Sequence, residues 1–249
     1  MNRKKLIVFD IHGTLTEDTS VMDEEMSFLL AELLKVNDVA LLSGGDYAQC
    51  ETQILKNLQH HAPLQRLFLF PVYGTNFYRY EGFWKKVYED SFTAEEKEKI
   101  MHAFETAFKN CRYAHPATIY GHVFEDRNVQ IAFSALGMKA PRELKNEFDP
   151  DKKKRKQLKE ELGKLLPECT ITIRGATTID VMKKGVNKEY GIEQIEKYLT
   201  IPRIDMLFIG DDFSAEGNDY PVKSMGIEFR SVTSIEDTKK IIRQILAGN

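Results

Sequence analysis

The sequence has little cysteine, almost no net charge and no long apolar run. Its three cysteines, Cys50, Cys111 and Cys169, are odd in number, far apart and in no CxxC spacing. That argues against a disulfide framework or a cysteine zinc site and points to reduced thiols in a cytoplasmic protein. A formal net charge of -3 gives no reason to expect nucleic acid or an acidic membrane as a partner. No apolar stretch approaches the roughly 20 residues that span a bilayer. The basic residues Arg3, Lys4 and Lys5 precede an apolar run of only four residues, which does not read as a signal peptide. Internal repeats and low-complexity segments are also absent. With 249 residues, 42% hydrophobic and 29% charged, the chain can bury a substantial core as one large domain or two modest ones.

The most informative stretch runs from Leu6 to Thr16. Leu6-Ile7-Val8-Phe9 reads as a buried parallel strand, too short for a helix, and Gly13-Thr14 turns the chain just beyond Asp10. A carboxylate at the carboxyl end of a central parallel strand lies where open α/β sheets place their ligands. It suits a covalent nucleophile or a hard oxygen ligand for Mg²⁺; the structural alternative is an aspartate that caps a turn. Asp38–Leu42 is a second buried strand, ending in Ser43-Gly44-Gly45-Asp46. There a hydroxyl and exposed N–H groups could face a phosphate, or the stretch could be a plain strand-to-helix turn.

Apolar spacing predicts helices over Met22–Leu34 and Gln49–Leu58, and Leu67–Val72 is a third apolar strand. From about Tyr78 the crossover texture gives way to helix, hairpin, helix, hairpin, an α+β pattern. Thr93-Ala94-Glu95-Glu96 opens a helix to Asn110 with a capping box, and Thr118–Glu125 with Val129–Leu136 reads as a hairpin. A further helix begins at Asp149-Pro150, where the cationic run Lys152–Lys156 reads as a solvated face. Cys169–Arg174 and Thr177–Met182 form a second strand pair. Crossover texture then returns with a helix over Lys188–Leu199, a strand over Met206–Gly210 ending in Asp211-Asp212, a short strand over Gly226–Phe229 and a helix over Ile235–Ala247. The expected fold is therefore α/β, a Rossmann-like doubly wound parallel sheet made from 1–78 and 186–249, with an α+β cap inserted at 79–185.

Asp10, Ser43, Lys188 and Asp211 with Asp219 are strand-adjacent polar sites in that core. In their order and setting they resemble the four motifs of the haloacid dehalogenase superfamily. Ile7-Val8-Phe9-Asp10-Ile11-His12-Gly13-Thr14 matches hhhhDxDGT, and Gly210-Asp211-Asp212 with Asn218-Asp219 matches the acidic fourth motif. The resemblance implies phosphoryl transfer through an aspartyl-phosphate on Asp10. It also implies Mg²⁺ held by Asp10, the main-chain carbonyl of His12 and Asp211, with Asp219 either supporting the metal shell or orienting Lys188, and a phosphate bonded by Thr14, Ser43, Gly44 and Lys188. An inserted α+β cap is the arrangement of the subclass containing phosphomannomutases and sugar-phosphate phosphatases. Phe124–Asn128, Ser134–Gly137, Arg174–Val181 and Gly217–Pro221 are similar to segments of the phosphomannomutase type. By that likeness Arg127, Thr178 and Asp180 would bind the hydroxyls or a distal phosphate of a phosphorylated sugar; the structural alternative is a hairpin-turn arginine and outward strand residues. Mutases of this type form homodimers through their caps, but no exposed apolar stripe in this sequence argues for it.

Two departures bear on activity. The family's general acid two residues past the nucleophile is Asp; here it is His12. A positioned proton donor contributes about 10² to 10⁴ in rate, so turnover is expected to be slowed or altered while phosphate and metal binding persist. In the cap, Met138 stands where the mutases carry an Arg, leaving Arg142 and Lys145 as candidate cations. A thinner cationic cap favours one phosphate over two. The expected function is a hexose-phosphate phosphatase, with a phosphomannomutase-type mutase and a catalytically impaired phosphosugar-binding protein as alternatives.

Overall fold

The structure is a computed structural model that describes residues 4–17, 20–215 and 217–248. The first strand, β1 (Leu6–Phe9), is fully buried and ends at Asp10, as its apolar run requires. Helix α1 (Glu24–Val36) starts where the Asp23 carboxylate accepts the Met26 N–H. After β2 (Asp38–Leu42), Asp46 and Gln49 cap α2 (Tyr47–Gln53) reciprocally. The helix expected to reach Leu58 stops at Gln53, and only a 3₁₀ turn, Leu55–Asn57, follows. Strand β3 (Leu67–Phe70) ends two residues before the expected Val72, because Pro71 has no N–H for the ladder. A four-residue turn, α3 (Pro71–Gly74), leads into the hairpin β4 (Asn76–Tyr80) and β5 (Trp84–Glu89).

The inserted segment opens with α4 (Ala94–Asn110), capped by Thr93 and Glu96 as its sequence predicts. The hairpin β6 (Phe124–Asp126) and β7 (Gln130–Ser134) is shorter than expected, and a short helix, α5 (Arg142–Phe148), has no counterpart in the sequence reading. Helix α6 (Lys153–Leu165) begins later than Asp149-Pro150. The Asp149 carboxylate instead accepts the N–H groups of Lys154 and Arg155. The solvated-face reading of Lys152–Lys156 fails at Arg155, which is 2% exposed and ion-paired with Asp149. Strands β8 (Cys169–Arg174) and β9 (Thr178–Lys183) follow. The chain then returns through α7 (Lys188–Leu199), β10 (Met206–Gly210), β11 (Glu228–Ser231) and α8 (Ile235–Ala247). The last strand lies two residues beyond the expected Gly226–Phe229.

The chain divides into two compact units, Met1–Glu89 with Val186–Asn249, and Asp90–Gly185. The boundary expected after residue 78 falls after 89. Parallel crossovers do end near Tyr78, but the sheet continues, since β4 and β5 add antiparallel to β3. The first unit is a seven-stranded sheet in the order β11-β10-β1-β2-β3-β4-β5, with the first five parallel. Ile7, Phe9 and Leu41 pack with α1 and α8 on one face; Leu6, Val8 and Phe208 pack with Ile192 and Ile195 of α7 on the other. Strand order reverses at β1, so Asp10 sits at the topological switch point. In the second unit an antiparallel sheet, β6-β7-β9-β8, turns Ile131, Phe133, Ile179 and Val181 onto Phe104 of α4 and Leu158 of α6. Among the described residues no helix is long and apolar enough to cross a membrane.

Candidate active site

Four motif residues meet at the carboxyl end of the core sheet. Asp10 follows the central strand, Lys188 opens α7, and Asp211 and Asp219 follow β10. Lys188, fully buried, places its Nζ 2.8 Å from Asp10 Oδ1 and also against Asp219 Oδ1. The second oxygen of Asp219 accepts the Asp212 N–H at 3.0 Å. Burial alone would lower the Lys188 pKa, but the charges of Asp10 and Asp219 outweigh it and hold the ammonium above its ordinary value. Burial, reinforced by the charges of Asp10 and Asp219, pushes Asp211 up to about 6. Asp219 is also raised, by burial and Asp10 against the opposing charge of Lys188.

Carboxylate oxygens of Asp10, Asp211 and Asp219 lie within 4.8 Å of one another. Three carboxylates and one ammonium leave excess negative charge, and an all-oxygen donor set suits a hard divalent cation such as Mg²⁺. Local backbone geometry keeps this space open. Gly13 has φ +74, and a Cβ there would lie 2.3 Å from Asp211 Oδ2. Only glycine both adopts that conformation readily and leaves room for the carboxylate.

Beside the carboxylates lies a set of uncommitted donors. Thr14 Oγ1 is buried without a hydrogen-bond partner. Ser43 Oγ accepts the Gly45 N–H at 3.0 Å, so its own hydrogen can be donated elsewhere. Among the described residues the N–H groups of Ile11, His12 and Gly44 have no hydrogen-bond acceptor. These donors follow two neighbouring parallel strands, and successive free N–H groups of this kind can make an anion nest. His12 is half-buried, with Nε2 3.0 Å from Gln53 Oε1. Gln53 had no sequence signal, being 41 residues away on α2.

The sugar-binding candidates lie in the inserted unit and form pairs there. Asp180 is buried and takes two hydrogen bonds from Arg174, at 2.5 and 3.2 Å. Thr178 lies directly across from Arg174 on the same sheet face. Arg127 follows β6 and binds Glu125 Oε2 through Nε at 2.8 Å. Glu125 and Asp180 share a face with Ala132 between them. Lys145 donates to the Met138 carbonyl at 3.1 Å, and Arg142 is exposed at the start of α5. The structure thus links Thr178 and Asp180 through Arg174. It engages Arg127 and Lys145 locally and leaves Arg142 apart. Arg174 could have been anticipated, since a tight hairpin turn sets residues six apart diagonally across two strands.

A paired lysine and a carboxylate cluster at a sheet switch point, beside loops rich in hydrogen-bond donors, have the chemistry that a phosphoryl-transfer enzyme requires. Residues 7–221 match the family model of haloacid dehalogenase-like hydrolases, and the chain belongs to that family. Across 98% of its length it is 27% identical to a phosphomannomutase of Encephalitozoon cuniculi, of which the match covers 94%. Among solved structures it is similar to an N-terminally truncated Plasmodium falciparum IMP-nucleotidase. There the TM-score is 0.69 at 18% identity, over 99% of this chain and 71% of that one. The trehalose-6-phosphate phosphatase of Aspergillus fumigatus matches with TM-score 0.64 at 18% identity, over 98% of this chain and 93% of that one. At such identities the two structures speak for the fold alone.

Proposed function

We propose that the protein is a Mg²⁺-dependent phosphatase of a hexose phosphate, acting through Asp10. The observation that carries this reading is Lys188 held between Asp10 and Asp219 beside the Asp211 carboxylate. Asp10 attacks phosphorus in line, the bond from phosphorus to the sugar oxygen breaks, and the phosphoryl group rests on Asp10 until water takes it. Phosphoryl transfer asks mainly for positioning and charge neutralisation. Lys188 offsets repulsion between Asp10 and the incoming dianion. Asp219, with one oxygen on Lys188 and the other on the Asp212 N–H, orients that ammonium rather than reaching for metal. Thr14, Ser43 and the N–H groups of Ile11 and Gly44 hold the phosphoryl oxygens. Asp10, Asp211 and the His12 carbonyl, which accepts no hydrogen bond among the described residues, are the ligands proposed for Mg²⁺. When bound, Mg²⁺ supplies charge neutralisation at the transferring group. His12 stands where the leaving sugar oxygen must gain a proton.

Neutralisation within the inserted unit favours hydrolysis over mutase chemistry. Arg174 is paired with Asp180 and Arg127 with Glu125, which leaves Arg142 and Lys145 as the candidate cations for a second phosphate. End-to-end similarity to phosphomannomutases supports the second reading, a mutase using the same Asp10 intermediate. The test is phosphate release from a panel of hexose phosphates with and without Mg²⁺, beside conversion of mannose 1-phosphate to mannose 6-phosphate with a bisphosphorylated activator. Release without interconversion supports the phosphatase; interconversion that requires the activator supports the mutase. Tight Mg²⁺-dependent binding without either reaction would leave a phosphosugar-binding protein.

A further inference from the structure

Arg155 is the largest fully buried side chain among the described residues, and no site reading uses it. Its guanidinium is committed in three directions. Nε donates to Asp149 Oδ2 at 2.9 Å, Nη2 to the Asp149 carbonyl at 3.1 Å, and Nη1 to the Gly175 carbonyl at 2.8 Å. Asp149 in turn accepts the N–H groups of Lys154 and Arg155 at the start of α6. A buried ion pair is a poor stabiliser, because removing two charges from water offsets their attraction; apolar residues of similar volume often serve as well or better. Stability therefore does not account for this arginine. Its reach to Gly175 gives it a different task.

Gly175 begins the turn between β8 and β9, at φ +53. The far end of that turn is pinned by the Ala135 N–H on the Thr177 carbonyl at 3.1 Å, and by the Ser134 and Thr177 hydroxyls at 3.3 Å. Arg155 supplies the matching anchor at the near end, from behind the sheet. The turn carries Arg174 on one side and Thr178 on the other, with Asp180 paired to Arg174. We propose that Arg155 is a positioning residue, which fixes the β8–β9 turn so that Arg174, Thr178 and Asp180 present a set geometry to the sugar moiety of the substrate. This rests on the hexose-phosphate reading above. Arg155 never touches substrate. A lysine there keeps the charge opposite Asp149, but one ammonium cannot replace three N–H groups aimed at three oxygens from a rigid plane.

The test measures binding by calorimetry with Mg²⁺ present, using mannose 6-phosphate and inorganic phosphate as separate probes, so it does not depend on turnover. Arg155→Lys and the double variant Asp149→Asn with Arg155→Met are compared with the unaltered protein. The double variant removes both charges together, which avoids stranding one of them. Each is expected to weaken mannose 6-phosphate about tenfold, the scale of one lost charge-assisted hydrogen bond, and to leave inorganic phosphate unchanged. The Tm of the double variant is expected to stay close to the original. Unchanged affinity for mannose 6-phosphate would overturn the proposal. So would equal losses for both probes, because that pattern marks a general structural role. If the unaltered protein binds inorganic phosphate but not mannose 6-phosphate, the hexose reading falls and takes this inference with it. Failure of the variants alone leaves the hexose reading standing.

Discussion

His12 concentrates the question of rate in one side chain. Its ring is held by Gln53, with 3.0 Å between Nε2 and Oε1, so it is an ordered group rather than a loose replacement. Even so, it stands two residues from Asp10, and its ring differs in shape and reach from a carboxyl group. His12→Asp is therefore expected to raise kcat for phosphate release by about 10², the lower end of what a positioned acid contributes. Equal rates for the two proteins would mean that the histidine already serves. Asp211 gives a second test at this scale. Its folded-state pKa is raised to about 6 from an ordinary value of 3.8. Because the shift is upward, the folded protein without metal holds this proton more tightly than the unfolded chain does. The stability it contributes is complete below the ordinary value and is lost as pH rises through about 6. A divalent cation competes for the same carboxylate. The rise in Tm on adding Mg²⁺ is thus expected to be small at pH 5 and large at pH 7.5, as thermal scans at both values would record. A shift that does not change with pH would count against Asp211 as a ligand.

At the scale of elements, the depth of α7 sets the site. A Cβ on Gly191 would lie 2.4 Å from Leu42 Cδ1 and 3.0 Å from the Tyr73 carbonyl, so the first turn of the helix presses directly onto β2 and α3. That approach carries Lys188, three residues earlier, between Asp10 and Asp219. Gly191→Ala is expected to cost about 1–3 kcal/mol through overpacking, read as a lower denaturant midpoint. Phosphate release should fall with it, because Lys188 is moved outward. Elements of this kind were largely legible in advance. β1, β2, β3 and β10 are continuous apolar runs, as strands buried on both faces must be, and the capping residues of α4 announce its start. What stayed hidden depends on partners remote in the chain. The β4–β5 hairpin reads as a change of domain, because Trp84–Glu89 is an edge strand rich in polar residues whose membership is decided by pairing with Asn76–Tyr80. Arg155 reads as one more solvated cation in a basic run; its burial follows from Asp149 and Gly175 together. The core motifs were readable for the opposite reason. Asp10, Ser43 and Asp211 each lie directly after a strand whose apolar run gives it away.

At the scale of the whole molecule, the inserted unit has what an independent domain needs. Its core, built on Phe104, Phe133, Leu158, Leu162, Ile179 and Val181, is drawn from its own helices and sheet. Its two ends are tied together locally: Lys183, near the end of the unit, binds the Asp90 carboxylate at 2.8 Å and the Ser91 carbonyl at 2.9 Å. The Phe92 N–H donates to the Asn128 carbonyl at 2.9 Å, which closes the start of the unit onto its first hairpin. Adjacent termini and a private core are the usual conditions for insertion of one domain into another. The segment Asp90–Gly185, produced alone, is expected to unfold in one cooperative thermal transition and to show a dispersed amide spectrum. Its ion pair at the ends should add only modestly to stability, since both partners are partly exposed. Lys183→Met is therefore expected to lower its Tm slightly without abolishing the transition. Helical and strand signals without a cooperative transition would mean that the unit depends on the rest of the chain, and that the two connections do more than join separate domains.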